Sequence, residues 1–149
     1  MRINAFSDVC LRIVMLLCAA PHGVTFTSRV VAAEVGTPYN HVSKALLRLR
    51  ELGLVEAIRG RSGGVRISPL GREVTVGALL RQLDTRTDLA ACDSPTGPCP
   101  LLSGCGLRGS LRRAREAFYR ELDDLVVAGL PHGKPNGPIL VELGLVRQD

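Results

Sequence analysis

The segment Arg59–Arg66 (RGRSGGVR) constrains the possible folds of this chain more than any other feature. It holds three glycines and three arginines, and it connects two short apolar stretches that begin at Leu54 and Val65. Two such stretches joined by a Gly-rich turn predict a β-hairpin. A narrow cationic tip suits the minor groove of DNA, whose negative potential attracts arginine. The alternative is a solvated turn whose glycines only provide positive φ. The surrounding arginines favour the DNA contact.

Three predicted helices precede the hairpin. The first covers residues 7–20 with Ser7 as its cap, and the second covers residues 29–35. The third begins with Thr37 as its cap and Pro38 at the first helical position. Two helices joined by a short Gly-containing turn form either an ordinary helical hairpin or a helix-turn-helix. The β-hairpin directly after the third helix favours a winged helix-turn-helix domain.

The distribution of charge supports a polyanionic partner for the N-terminal half. The chain has 149 residues and a net charge of +5, and the whole excess of basic residues falls within residues 1–78. A basic half of this kind is expected when one part of a protein faces nucleic acid. Aromatic residues make up only 3% of the chain and Trp is absent, so few candidates exist for stacking on single-stranded bases.

Five cysteines fall into two groups. Cys10 and Cys18 lie on the apolar face of the first predicted helix, where they are expected to be small buried hydrophobes. Cys92, Cys99 and Cys105 lie in a Gly- and Pro-rich stretch. Their spacing matches neither the paired knuckles of structural zinc nor a C-x-x-C redox pair. From the residues alone these three thiols could hold zinc, an iron–sulfur cluster or no metal.

The C-terminal half contains one long amphipathic helix. Its apolar positions approximate a coiled-coil seam, which fits either dimerisation or packing against its own domain. The expected fold is mainly α with a small β-hairpin. We expect a winged helix-turn-helix DNA-binding domain at 1–83 and a cysteine-rich metal-binding segment at 84–106. A dimerisation helix at 107–130 and a Pro- and Gly-containing tail at 131–149 follow.

The apolar run at 13–20 is too short to cross a bilayer. Asp8 before it and Pro21-His22-Gly23 after it do not fit a secretory signal. We therefore expect no membrane contact and a cytoplasmic location, in which thiols stay reduced.

These features together resemble the NsrR and IscR group of winged-helix iron–sulfur regulators, and within it the nitric-oxide-sensing repressors. The similarity covers about residues 1–130 and is carried by the hairpin, the three-cysteine pattern, Phe6-Ser7-Asp8 and Asn40-His41-Val42. The resemblance implies a homodimer with one cluster per subunit, held by Cys92, Cys99 and Cys105. It implies a four-iron four-sulfur cluster, with a two-iron two-sulfur cluster as the alternative.

The resemblance also bears on the fourth ligand. The IscR type uses a histidine three residues after the third cysteine, and this chain has Arg108 there. The NsrR type can use an aspartate near the start of the first helix, contributed across the dimer, and Asp8 occupies that place. Without the resemblance, Asp8 would be interpreted as a first-turn acid favoured by the helix dipole.

The implied function is repression of transcription at double-stranded operator DNA, ended when nitric oxide nitrosylates the cluster. The predicted major-groove readers are Tyr39, Asn40, His41 and Lys44; the predicted phosphate contacts are Arg12 and Ser28; the predicted minor-groove contacts are Arg59 and Arg61. A regulator of the same group that senses iron–sulfur or redox status, or that carries structural zinc, is the alternative. A thiol oxidoreductase is a weaker reading because no C-x-x-C motif or Gly-rich cofactor loop is present, and we expect no enzymatic activity.

Overall fold

The computed structural model describes residues 3–84 and 105–130. These residues form helices and one hairpin, in chain order α1 (Ala5–Ala19), α2 (Ser28–Glu34), α3 (Tyr39–Glu51), β1 (Val55–Ile58), β2 (Gly64–Ile67), α4 (Pro69–Glu73), α5 (Val76–Leu83), α6 (Gly106–Leu122) and a 3-10 helix (Val127–Gly129). The expectation of a mainly α fold with a small β-hairpin is confirmed. Cys92, Cys99 and the tail 131–149 lie outside the described residues.

Two of the predicted helix starts are wrong. α1 begins two residues early, because the side chain of Asn4 accepts a hydrogen bond from the Ser7 amide at 2.7 Å. Ser7 is then a buried residue of the first turn and not the cap. Thr37 does not cap α3 either, since its hydroxyl donates to the carbonyl of Val35 at 3.3 Å. Pro38 is the residue that precedes α3, without a side-chain cap.

α1 lies at the centre of the core, with Ile13 and Val14 fully buried and Leu17 nearly so. It packs on α3 and α5, which contribute Leu49 and Leu79. Burying each such aliphatic side chain stabilises the fold by about 1.5–3 kcal/mol. Cys10 and Cys18 are also buried on α1, as their positions on its apolar face predicted.

The hairpin pairs β1 and β2 antiparallel, with Val55 opposite Ile67 and Ile58 opposite Gly64. Phe26 joins β2 through an isolated bridge, exchanging two backbone hydrogen bonds of 2.8 and 2.9 Å with Val65. This bridge explains why glycine is needed at position 64, where a Cβ would lie 2.4 Å from the Phe26 carbonyl oxygen.

α6 ends at Leu122, earlier than the helix over 107–130 that the sequence predicts. The chain then returns to the start of α5: the Val76 amide donates to the Leu125 carbonyl at 2.8 Å and the Val127 amide to the Val74 carbonyl at 3.0 Å. α4, a five-residue helix capped by Ser68, was not predicted. No helix in the described ranges is long and apolar enough to cross a membrane.

Candidate DNA interface and metal ligands

The first turns of α3 present a polar, exposed surface. Tyr39, Asn40, His41 and Lys44 are all exposed, with Tyr39 47% accessible. The opposite face of the same helix is fixed in the core by its buried residues, which are Val42, Ala45, Leu46 and Leu49. Amide, imidazole and ammonium groups held outward on a rigid helix are suited to reading base edges in a major groove.

Arg29 joins this surface, and the sequence interpretation missed it. Its guanidinium lies 5.4 Å from the centroid of the Tyr39 ring, in a cation–π contact. Ser28 is the half-buried first residue of α2, which Thr27 caps by accepting from the Val30 amide at 3.3 Å. The contact between Arg29 and Tyr39 therefore connects the first turns of α2 and α3, the two helices of the helix-turn-helix. Its only sequence signal was an arginine just after a helix cap.

The three arginines of the hairpin are not equivalent. Arg66 pairs with Glu56, its cross-strand neighbour, at 2.9 Å. Arg59 and Arg61 are exposed at the tip and make no ion pair with any residue in the described ranges. The hydroxyl of Thr25 donates to the Ser62 carbonyl at 2.9 Å and ties the tip to the body of the domain. Two of the three cations are therefore available to a phosphate backbone or minor groove.

Asp8 and Arg12, predicted as a metal ligand and a phosphate contact, are partners of each other. The Arg12 Nη2 lies 2.8 Å from Asp8 Oδ2, one turn apart on α1. Both side chains are about half exposed, at 54% and 47%. The structure thus brings together two residues that the sequence assigned to different tasks.

Cys105 occupies the N-cap position of α6 and is half-buried. Its side chain makes no capping hydrogen bond, so the sulfur is not used by the helix. The positive end of a helix dipole favours a thiolate and an anionic group bound to it. The donor chemistry at Cys105 therefore fits a thiolate-held iron–sulfur cluster.

Cys92 and Cys99 lie outside the described residues, and within the described ranges no group of three or more His, Cys, Asp or Glu side chains could hold a metal ion. Cys10 does not suit a ligand, because burial raises the pKa of its thiol to about 12. Cys18 is similar, since burial also raises the pKa of that thiol above its ordinary value. Both cysteines are structural.

Comparison with known proteins identifies the family. Residues 3–132 match the Rrf2 family, described as "Iron-dependent Transcriptional regulator". The "HTH-type transcriptional repressor NsrR" of Streptomyces coelicolor is 45% identical over 144 residues, which cover 96% of each chain. The "HTH-type transcriptional regulator NsrR" of Halalkalibacterium halodurans is 31% identical over 131 residues, which cover 87% of this chain and 90% of the relative.

Solved structures agree on the fold. Staphylococcus aureus CymR in its oxidized form superposes with a TM-score of 0.69 at 19% identity, covering 90% of this chain and 98% of the other. T. potens IscR gives a TM-score of 0.68 at 15% identity, covering 100% of this chain and 94% of the other. These likenesses support a winged helix-turn-helix. Since the curated relatives and the family are transcriptional regulators and not enzymes, the thiol-oxidoreductase alternative is set aside. This chain is therefore a DNA-binding transcriptional regulator of the Rrf2 family, of the NsrR type.

Proposed function

We propose that this regulator is a cytoplasmic homodimer that represses transcription with an iron–sulfur cluster bound and leaves its operator when nitric oxide reacts with that cluster. The observation that carries the proposal is the ion pair between Asp8 and Arg12. It connects a carboxylate suited to iron with a cation suited to DNA phosphate. Each task competes with this ion pair, because each needs one of the two side chains free of the other.

Metal binding by Asp8 and phosphate binding by Arg12 therefore favour each other. When Asp8 ligates a metal, its charge is neutralised and Arg12 is free to bind a phosphate oxygen. When the metal is lost, Asp8 is free to pair again with Arg12, as in this structure. Cluster loss would then weaken DNA binding.

The effect of the Asp8–Arg12 pair on DNA affinity is limited because both side chains are about half exposed. An ion pair between half-exposed side chains contributes about 0.2–1 kcal/mol, which corresponds to at most about a fivefold change in affinity. Arg12 alone therefore cannot account for complete release of the operator. The remainder requires a change in the spacing of the two recognition helices, which must match half-sites about 34–36 Å apart.

Dimerisation is supported by α6. Leu107 is 64% exposed and Ala114 is exposed, while Tyr119 is the only residue of α6 that is buried. The last turns of α6 pack on α5 and its first turns present uncovered apolar residues. A second copy of the same helix would cover these residues and would bring the two cysteine-bearing segments to one interface.

The proposed ligands are Cys92, Cys99 and Cys105 of one subunit and Asp8 of the other. In a four-iron four-sulfur cluster held in this way, Asp8 would be the ligand of one iron. A carboxylate is a weaker partner for iron than a thiolate. A small diatomic ligand could displace such a group most easily. Tyr39, Asn40, His41 and Lys44 would read bases, Arg12 and Ser28 would bind phosphates, and Arg59 and Arg61 would enter the minor groove.

The test uses anaerobically purified protein and a fluorescent palindromic operator found by selection from random DNA. Iron and sulfide analysis should give four of each per subunit for the proposed cluster, and titration with nitric oxide should weaken operator binding by at least about tenfold, beyond what Arg12 alone can supply. Holo protein whose affinity is unchanged by nitric oxide would overturn the sensing proposal. If the metal analysis finds zinc and no iron, the cluster proposal is wrong and the structural-zinc alternative replaces it.

A further inference from the structure

The turn of the hairpin is held by a residue from outside the hairpin. We call residues 59–63 the hairpin tip, because they lie between β1 and β2. Within the tip, the Gly63 amide donates to the Gly60 carbonyl at 3.0 Å. The outside contact comes from Thr25, whose hydroxyl donates to the carbonyl of Ser62 at 2.9 Å. The tip is therefore restrained both by its own turn and by a residue 37 positions earlier in the sequence.

This restraint matters because the hairpin tip has a flexible sequence. Two of its five residues are glycine, and glycine loses more conformational freedom on ordering than any other residue. Gly60 has a φ of 116°, a backbone conformation that glycine adopts without strain. A free loop of this composition would sample many conformations. Ordering it on DNA would therefore weaken binding.

The backbone next to Thr25 is itself held in place. Phe26 is buried and exchanges two backbone hydrogen bonds with Val65 of β2. Thr25 is β-branched, and such side chains have few allowed χ1 rotamers. The Thr25 hydroxyl therefore comes from a fixed backbone and a stiff side chain, and it can hold a mobile partner.

The same stretch of chain leads into the helix-turn-helix. Thr27 caps α2 by accepting from the Val30 amide at 3.3 Å. In the first turn of α2, Arg29 contacts the ring of Tyr39 on α3. Residues 25–27 thus contact the hairpin tip, β2 and the start of α2 in succession. These contacts set the position of the tip relative to α3 in the protein without DNA.

The position of the tip matters because the proposed DNA contacts fall in two grooves. Arg59 and Arg61 are proposed for the minor groove, and α3 is proposed for the major groove. A protein that uses both grooves has to hold the two elements at a set separation. Ser62 follows Arg61 directly in the chain. The hydrogen bond from Thr25 to the Ser62 carbonyl therefore restrains the backbone that carries Arg61.

We propose that Thr25 is a positioning residue for DNA recognition: by holding the Ser62 carbonyl, it orders the hairpin tip before DNA is bound and reduces the entropy lost on binding. Thr25 acts through Arg61 and not through a DNA contact of its own. The inference rests on the proposed function, because it requires that the tip arginines bind the operator.

The experiment measures operator affinity by fluorescence anisotropy, with anaerobically purified protein and the selected operator. Thr25→Val removes the hydroxyl and keeps the β-branched shape. It should weaken binding about two- to fivefold, the lower part of the range for one hydrogen bond, because this bond is exposed to solvent. Thr25→Ser keeps a hydroxyl at the same position and should restore most of the affinity. Urea unfolding checks that both variants are folded.

A double-mutant cycle tests whether Thr25 acts through Arg61. Two side chains that act through one another have effects that do not add. Arg61→Gln removes the cation that the ordered tip places, so Thr25→Val should cost less affinity in that background than in the wild type. Arg66→Gln is the matched control background, since Arg66 lies on the same hairpin and is already paired with Glu56. In that background Thr25→Val should keep its full effect.

A second measurement needs no DNA. The Gly63 amide donates within the tip, so its hydrogen exchange reports how often the tip opens. In DNA-free protein this amide should exchange about two- to fivefold faster in Thr25→Val than in the wild type, in proportion to the loss of one exposed hydrogen bond. The Val65 amide, which donates to the Phe26 carbonyl at 2.8 Å, should exchange as in the wild type. A residue that only contacted DNA would alter neither amide.

The outcomes separate the positioning role from the DNA contact of the tip. If Arg61→Gln weakens binding and Thr25→Val does not, the positioning role is overturned and the minor-groove contact stands. If Thr25→Val costs the same in the Arg61→Gln and Arg66→Gln backgrounds, Thr25 acts elsewhere and the positioning role is again overturned. If neither Arg59→Gln nor Arg61→Gln changes the affinity, the proposed DNA contact of the tip is wrong and the inference fails with it.

Discussion

The Asp8 carboxylate and the Arg12 guanidinium form an ion pair of 2.8 Å on the exposed side of α1. The pair is an i,i+4 contact with the acid toward the N-terminus, the arrangement that a helix dipole favours. In this state neither charge is fully available to a second partner. DNA affinity should therefore depend on whether Asp8 is engaged elsewhere.

Asp8→Asn should strengthen DNA binding by the cluster-free protein. Losing the pair frees Arg12, and the expected gain in affinity is about two- to fivefold, the range for a partly exposed ion pair. Fluorescence anisotropy at several salt concentrations measures the gain. Glu73→Gln is the matched control, because it removes one exposed acid from α4, which is part of the same domain. An equal gain in the control would show that net charge, and not release of Arg12, explains the result.

Arg59→Gln and Arg61→Gln should each weaken operator binding, and the double variant should abolish it. Each exposed cation that contacts a phosphate contributes about one unit to the slope of log affinity against log salt concentration. Arg66→Gln offers a control on the same hairpin, since Arg66 is already paired with Glu56. It should lower stability slightly and leave the salt slope unchanged. A smaller slope in Arg66→Gln than in Arg61→Gln would contradict this assignment.

The hairpin and the buried faces of α1 and α3 could be predicted because their signals are local. The glycines and arginines of residues 59–66 and the spacing of Val42, Leu46 and Leu49 each lie within a few turns of chain. The pairing of Arg66 with Glu56 could not be predicted, because it depends on the register of β1 and β2. The geometry of the turn in the folded hairpin fixes that register. That register decides which of the three similar arginines is paired with Glu56.

The early end of α6 could not be predicted because its cause is tertiary. The apolar pattern continues past Leu122, but the backbone of residues 125–127 instead pairs with Val74 and Val76. The pairing of Arg81 with Asp123 was missed for the same reason, since the two residues are 42 positions apart in sequence. Propensity within one helix carries no information about such partners.

Gly77→Ala should destabilise the protein by about 1–3 kcal/mol, the usual cost of forcing extra atoms into a packed contact. The new methyl group would collide with Asp123 and with the backbone of Tyr119, so α5 and α6 would have to separate. Urea unfolding of the cluster-free protein measures the loss. Gly129→Ala is the control, because nothing lies within 4 Å of its added Cβ. Equal stability of the two variants would show that the α5–α6 contact is loose.

Stability should fall at alkaline pH through Cys18. Burial raises the pKa of this thiol from its ordinary value of 9.0, while nearby Arg72 partly opposes the shift. Above pH 9 the unfolded chain loses the proton while the folded chain keeps it. The stabilisation is therefore complete below pH 9 and is lost as the pH rises toward the folded-state pKa, at no more than about 1.4 kcal/mol per pH unit. Urea unfolding at pH 8 and pH 10 should show a smaller decrease in Cys18→Ala than in the wild type. Equal decreases would remove Cys18 as the cause.

Leu107→Glu should dissociate the proposed dimer. Leu107 is 64% exposed at the start of α6, and covering a leucine contributes about 1.5–3 kcal/mol. A buried charge there costs more, so the dimer dissociation constant should rise by at least about tenfold. Sedimentation of the cluster-free protein measures this directly. Leu70→Glu is the control, because Leu70 is 56% exposed on α4, outside the proposed interface. Operator affinity should fall in Leu107→Glu alone, since a monomer engages one half-site. If both variants sediment as the wild type does, α6 is not the dimer interface.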